Sequence, residues 1–186
     1  AEKLSLSITQ EFPEHQFAWK VLGATLKQMG KINESLIPGQ KSVQLNPQDS
    51  EAHNNLGVML QELGRLDEAE ISLRQAITLK ADYAEANYNL GNVLKELVRL
   101  NEAEASLRQA IKLKPDYAEA HNNLGIILEE LGRLNEAEVS LRQAITLKPD
   151  YAEAHSNLGN TLKDQGRLNE AEVSLRQAIT LKPDYA

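Results

Sequence analysis

The sequence repeats itself every 34 residues, and this period constrains the fold more than any other feature. Gly57, Gly91, Gly125 and Gly159 follow one another at intervals of 34, each preceded by a leucine, and residues 132–152 are identical to residues 166–186. A short unit cannot bury its apolar face alone, so copies must stack on their neighbours to build a continuous core. The sequence therefore predicts a repeat protein in which each unit packs mainly against the next.

The period divides the chain into five complete units that follow half a unit. We number positions from the first residue of each unit, which places the recurrent glycine at position 8. Residues 1–15 match the back half of a unit and supply a second helix only. The complete units span residues 16–49 (the most divergent), 50–83, 84–117, 118–151 and 152–185. No capping helix follows the fifth unit, so we expect self-association through the C-terminal end of the array.

Each unit carries two amphipathic helical patterns. In the fourth unit one apolar stripe runs through residues 119–131 and another through residues 136–147. Gly132 between them fits a left-handed helix C-cap, and Asn135 with Glu138 has the spacing of a capping box for the second helix. The pattern predicts an all-α solenoid of helix pairs.

Residues at fixed positions resemble the tetratricopeptide repeat (TPR) family. Trp19, Leu22 and Gly23 match the opening of its 34-residue motif, and Ala137 and Pro149 match its second half. The resemblance implies a right-handed superhelical solenoid of antiparallel helix pairs, whose first helices line a concave groove that binds polypeptide.

Within that family, residues 154–179 are most similar to the repeat array of the O-linked N-acetylglucosamine transferases. The chain departs from the motif where His53, His121 and His155 replace the usual Trp and where Ala81 replaces Pro.

Composition excludes several classes of function. The chain has 20 Lys and Arg against 27 Asp and Glu, a net charge of −7, and no basic run, which argues against nucleic acid as a partner. No apolar stretch approaches the roughly 18 residues that a membrane helix needs. The chain contains no Cys and hence no disulfide or thiolate metal site, which fits a cytoplasmic location.

The sequence offers no catalytic constellation. The histidines at position 4 occur once per unit and do not face one another, so packing is a better explanation for them than metal binding. No glycine-rich phosphate loop or activated nucleophile is present. We expect no catalysis, no cofactor and no metal.

Asparagine recurs at position 6, in the middle of the first helix of units two to five. Asn destabilises a helix interior by about 0.5 kcal/mol relative to Ala, so its recurrence at this position suggests a function. Positions 2, 6, 9 and 13 share the face opposite the apolar stripe. The candidate peptide-binding residues on this face are Asn55, Asn89, Asn123, Asn157, Asn92, Asn160, Glu119, Glu130, Glu153 and Asp164.

The resemblance implies a role for these asparagines, because in the transferases the equivalent residues hold the backbone of an extended peptide. Two other interpretations stay open: duplication copied an indifferent Asn, or the asparagines bond only to one another. Of the five residues with which some TPR domains clamp a C-terminal carboxylate, the chain has only Lys20 and Asn55. The acidic residues of the face favour neutral or basic segments.

The sequence thus predicts a protein-interaction scaffold without catalysis. One alternative is that the repeats are the substrate-recruiting arm of a larger transferase-type enzyme, and another is a self-associating structural rod. Two residues are expected to destabilise the fold locally. Val98 lies at position 15, where the other units have a glycine suited to positive φ. Pro38 lies within the second helix of the first unit, where proline disrupts helical hydrogen bonding.

Overall fold

The computed structural model describes residues 2–182, with side chains from residue 7 onward; residues 183–185, the last of the predicted fifth repeat, lie outside it. The described residues form eleven helices and no strand, so the predicted all-α class is confirmed. The helices are α1 (Glu2–Glu11), α2 (Gln16–Gln28), α3 (Ile32–Leu45), α4 (Ser50–Glu62), α5 (Leu66–Leu79), α6 (Ala84–Glu96), α7 (Leu100–Leu113), α8 (Ala118–Glu130), α9 (Leu134–Leu147), α10 (Ala152–Asp164) and α11 (Leu168–Leu181).

The chain divides into two compact units, each of which contains several of the 34-residue elements. We call residues 1–97 the first unit and residues 98–186 the second unit, and we call the 34-residue elements repeats. In the first unit α2 packs on α3 and α4 on α5, and the pairs stack because α3 contacts α4 and α5 contacts α6. In the second unit α8 packs on α9 and α10 on α11, with α7 against α8 and α9 against α10. Turns of three residues join the helices of these pairs, and such short turns require an antiparallel arrangement. Each unit is therefore a stack of helical hairpins.

The recurrent glycine at position 8 lets the two helices of a hairpin approach closely. A Cβ atom on Gly57 would lie 2.6 Å from the Leu73 Cγ, and one on Gly125 would lie 2.5 Å from the Leu141 Cγ. These distances are too short for any real Cβ, so the leucine at position 24 occupies the space that the glycine leaves.

The first complete repeat has no leucine at position 24, and a residue from the next repeat compensates for it. Gly39 stands there, and Met59 of α4 packs over both this residue and Gly23. A Cβ on Gly39 would lie 2.8 Å from the Met59 Sδ, and Met59 is only 1% exposed. An unbranched thioether suits such an irregular gap.

The turn glycines take the backbone conformation that the sequence predicts. Gly64, Gly132 and Gly166 have φ of 71°, 74° and 77°, and Val98 has φ of 58° at the same position. The Gly132 N–H donates to the Glu129 carbonyl at 2.8 Å, which gives one of the last carbonyls of α8 a partner. The prediction that Val98 adopts positive φ is confirmed.

The capping box predicted at Asn135 is wrong. Helix α9 begins at Leu134, so Asn135 lies within its first turn, and the preceding residue Arg133 makes no capping bond with its side chain. Arg133 instead donates from Nε to the Glu136 Oε1 at 2.8 Å. The three-residue turn through Gly132 starts the helix earlier than the spacing indicated.

Pro38 does not break its helix. Helix α3 continues through it, with Pro38 buried. The equivalent Ser72 and Ser140 donate to the backbone carbonyls of His53 at 3.0 Å and His121 at 2.9 Å, and proline cannot form this bond. The first repeat therefore lacks one tie between its two helices.

Candidate peptide-binding face

The candidate residues lie on the first helices of the repeats, within each unit separately. We call the surface formed by positions 2, 6, 9 and 13 of these helices the first-helix face. In the first unit it comprises candidates on α4 and α6, namely Asn55, Asn89 and Asn92. In the second unit it comprises candidates on α8 and α10, namely Asn123, Asn157, Asn160, Glu119, Glu130, Glu153 and Asp164. First helices of adjacent repeats contact each other in both units, which brings each group together.

Two of the position-6 asparagines are held by an asparagine of the preceding repeat. The Asn89 Nδ2 donates to the Asn54 Oδ1 at 2.9 Å, and the Asn157 Nδ2 donates to the Asn122 Oδ1 at 2.9 Å. The two acceptors are buried, at 7% and 3% exposure. Each bond fixes a half-buried amide against a buried one, so the orientation of the outer amide is set before any ligand arrives.

An Asn amide has more hydrogen-bonding capacity than this contact uses. It offers two N–H donors and one carbonyl oxygen, and the bond to the preceding repeat takes one donor. Among the residues that the structure describes, Asn89 and Asn157 make no other side-chain hydrogen bond. One donor and one acceptor of each remain for a ligand.

Sequence reasoning missed the buried partners Asn54 and Asn122 at position 5. A signal for them exists in the double asparagine of HNNLG at residues 53–57 and 121–125, against a single one after Tyr88 and Ser156. Each of these hydrogen bonds joins a repeat that has Asn at position 5 to the following repeat, which has Asn at position 6.

The acidic candidates differ in how far their charge is neutralised. Glu119 lies 3.5 Å from the Lys148 Nζ, and Glu153 lies 3.6 Å from the Lys182 Nζ. Within the described part of the chain, Glu130 and Asp164 make no ion pair and are exposed. The uncompensated negative charge of the second unit's face is therefore at position 13.

Comparison with family models gives one consistent result. A model described as TPR repeat matches residues 59–98, 99–132 and 129–166, and two described as tetratricopeptide repeat match residues 39–71 and 152–185. The chain belongs to the tetratricopeptide repeat family. No curated protein matches the sequence.

Solved structures of TPR proteins share the fold. YrrB, described as a TPR protein with an unusual peptide-binding site, is 23% identical, with a TM-score of 0.76 over 99% of this chain and 95% of that chain. MamA from Desulfovibrio magneticus RS-1, from residue 41 to its end, is 19% identical, with a TM-score of 0.81 over 91% and 96%. A thermophilic TPR protein of Thermus thermophilus is 27% identical, with a TM-score of 0.75 over 90% and 92%.

Lys20, the one cation of the TPR carboxylate clamp present here, is engaged within the array. Its Nζ lies 3.1 Å from the Asp49 Oδ2 and 2.8 Å from the Glu51 Oε2. Burial by itself lowers the pKa of Lys20, but the hydrogen bonds to Glu51 and Asp49 raise it more, so the pKa lies above its ordinary value. A ligand carboxylate would have to compete with two resident ones.

Asp49 also caps the next first helix. Its Oδ1 accepts from the N–H groups of Glu51 and Ala52 at 3.0 Å each. Burial alone raises the pKa of Asp49, whereas the bonds from the Ala52 N–H and from the Lys20 and Gln16 side chains lower it below its ordinary value. Asp49 thus connects two successive repeats, because it contacts Lys20 of α2 and caps α4.

The position-4 histidines form hydrogen bonds to the loops that connect successive repeats. The Nε2 atoms of His53, His121 and His155 lie 3.0 Å from the carbonyl oxygens of the prolines six residues earlier, Pro47, Pro115 and Pro149. Since a carbonyl only accepts, Nε2 carries the proton and donates. No group of three or more His, Asp or Glu suited to a metal occurs among the residues described, and none of the described helices is long and apolar enough to cross a bilayer.

Proposed function

We propose that this TPR chain is a protein-interaction module that binds an extended peptide along the first-helix face, chiefly through the position-6 asparagines. The observation that carries the proposal is the orientation of Asn89 and Asn157 by the buried amides of Asn54 and Asn122. The module itself performs no catalysis.

Orientation matters because binding normally costs the conformational entropy of the side chains that it immobilises, about 0.5–1.5 kcal/mol each. The bond to the preceding repeat has already fixed these two amides. Each peptide backbone bond then contributes about 0.5–1.5 kcal/mol net. An amide that offers both a donor and an acceptor can contact a peptide group, whatever side chain the peptide carries, so the specificity for sequence is loose.

Charge narrows the choice of peptide. Glu130 and Asp164 have no resident cation among the described residues, and they favour neutral or basic segments over acidic ones. YrrB, which shares the fold, is described as having an unusual peptide-binding site, and this supports peptide binding without indicating its mode. The mode is supported by the resemblance of residues 154–179 to repeats in which asparagines at this position hold a peptide backbone. The same face would serve as a recruiting arm if a transferase domain were attached.

The test starts from a peptide selected by the protein itself. A random peptide library displayed on phage is panned against the whole chain, and the affinity of a selected peptide is measured by calorimetry for wild type and for the variant with Asn55, Asn89, Asn123 and Asn157 all replaced by Ala. We expect helicity to persist and affinity to fall at least tenfold, since each lost bond is worth about 0.5–1.5 kcal/mol.

Matched controls come from the opposite side of the hairpins. Asn101 and Asn169 are exposed on the second helices α7 and α11, and their replacement by Ala removes asparagine amides from the chain without touching the first-helix face. These variants should bind the selected peptide as wild type does. Full affinity in the quadruple variant would show that the asparagines do not grip the peptide.

A further inference from the structure

A second surface of the hairpins is open to a partner. First helices of adjacent repeats contact each other within each unit, whereas no such contact joins α3 to α5, α7 to α9 or α9 to α11 among the described residues. The gap between successive second helices forms a groove, and the first helix between them is its floor. We call these the second-helix grooves.

Such grooves lie over α4, α8 and α10, and residues from the same repeat positions recur in their linings. Their volumes are about 520 Å³ over α4, 740 Å³ over α8 and 500 Å³ over α10. Each has leucine from position 7 in its floor and an apolar β-branched residue at position 22 on one wall. The position-22 residues are 70%, 71% and 69% exposed, in the order Ile71, Val139 and Val173.

A β-branched apolar side chain that is about 70% exposed in every groove is unusual for a surface without a partner. A single exposed apolar residue needs no explanation, but here each one faces an apolar floor and a second apolar wall residue from position 28. In the groove over α8, for example, Val139 lines one side, Ile111 the other, and Leu124 and Leu128 the floor. This lining is apolar on its floor and on both walls.

The groove over α8 has one further feature that the others lack. Lys112 lines it at position 29, where Thr146 lies in the next repeat. Lys112 is exposed and makes no ion pair within residues 7–182, whereas the neighbouring Arg108 is held by Glu104 at 2.9 Å and Glu136 at 3.2 Å. On a chain with a net charge of −7, this groove combines an apolar floor with an uncompensated cation.

We propose that the groove over α8 binds an amphipathic helix of a partner protein, with its apolar stripe on Leu124, Leu128 and Val139 and a flanking carboxylate on Lys112. Laying the apolar face of a helix into a groove between helices is a common mode of recognition. The charge preference is opposite to that of the first-helix face, which favours neutral or basic segments. The two surfaces therefore select different partners.

Two synthetic peptides test the proposal on the whole chain. Both are amphipathic helices with the same leucine stripe, flanked by Glu in one and by Lys in the other. Titration of each into isotope-labelled protein, followed by the NMR shifts of backbone amides, gives both the affinity and the location. We expect the Glu peptide to shift amides of α7 and α9 around Ile111 and Val139, and to bind about 2- to 5-fold more tightly than the Lys peptide, as one exposed ion pair allows.

Three variants sharpen the result. Lys112→Thr, which installs the residue of the next repeat, should abolish the preference for the Glu peptide. Thr146→Lys should create the same preference in the groove over α10. Val139→Ser should weaken both peptides about tenfold through lost apolar burial.

The proposal is overturned by any of four results. These are no saturable shift up to about 1 mM peptide, shifts confined to the first-helix face, equal or tighter binding of the Lys peptide, or undiminished binding by Val139→Ser.

Discussion

Val98 offers a direct measurement of backbone strain in this fold. It stands in the turn between α6 and α7 with φ of 58°, a region that L-residues with branched side chains rarely adopt. The equivalent turn residues Gly64, Gly132 and Gly166 adopt φ between 71° and 77°. The change to make is Val98→Gly, which gives this turn the residue that its counterparts have.

The magnitude follows from three contributions. Relief of left-handed strain yields about 1–3 kcal/mol. Glycine has a larger backbone entropy in the unfolded chain, which lowers the free energy of unfolding by about 0.5–1 kcal/mol. Because Val98 is 77% exposed, its removal forfeits little apolar burial. The central values of the two terms differ by about 1 kcal/mol, so we expect Val98→Gly to raise the free energy of unfolding by about 1 kcal/mol, measured by urea denaturation followed by circular dichroism.

Two controls isolate the backbone as the cause. A Cβ at Gly132 would meet no atom within 4 Å, so Gly132→Val adds strain without a clash and should destabilise the protein by a similar amount. Val139 is about as exposed as Val98 but lies within α9, so Val139→Gly should destabilise the protein by roughly 0.3–0.5 kcal/mol through its lower helix propensity. If Val98→Gly unfolds at the same or lower urea concentration than wild type, the strain argument fails.

Three further predictions concern the helices and their joints. Gly125→Ala should destabilise the protein by about 1–3 kcal/mol, as overpacking does. Gly39→Ala should destabilise it less, because the flexible Met59 side chain can move, and equal urea midpoints for the two variants would contradict this. Amide hydrogen exchange should be faster in residues 33–45 than in residues 135–147, since Pro38 removes the serine bond between the helices of its hairpin; equal protection in the two segments would count against it. The folded-state pKa of Asp49 is lowered, so its stabilisation is complete above the unfolded pKa of about 4 and is lost as pH falls through the folded value. Urea titrations should therefore show a shallower loss of stability below about pH 4 for Asp49→Asn than for wild type, and identical slopes would refute the assignment.

The hairpins and turns were predictable because their signals are local. A period of 34 residues, two apolar stripes per unit and a glycine at one fixed turn position each constrain the chain within a single repeat. The conformation of Val98 followed from the same comparison of equivalent positions. The wrong prediction at Asn135 has a local cause too: capping-box spacing ignores how early a three-residue turn restarts the helix.

Features that join one repeat to the next were not predictable from the pattern. The bond from Asn89 to Asn54 depends on which side chains of adjacent first helices come level, and position numbers within one repeat do not give that register. Met59 filling the space beside Gly39 depends on the same register. The second-helix grooves depend on first helices touching while second helices do not. The binding role of the first-helix face stays a prediction.

A double-mutant cycle measures whether Asn89 and Asn157 bond to the backbone of a bound peptide. Single amide-to-ester replacements are placed along a selected peptide, and each peptide is measured against wild type, Asn89→Ala and Asn157→Ala. We expect one ester position to weaken binding to wild type by about 0.5–1.5 kcal/mol and to have no further effect in the variant that lacks the asparagine bonded at that position. Ester effects that persist unchanged in both variants would contradict it.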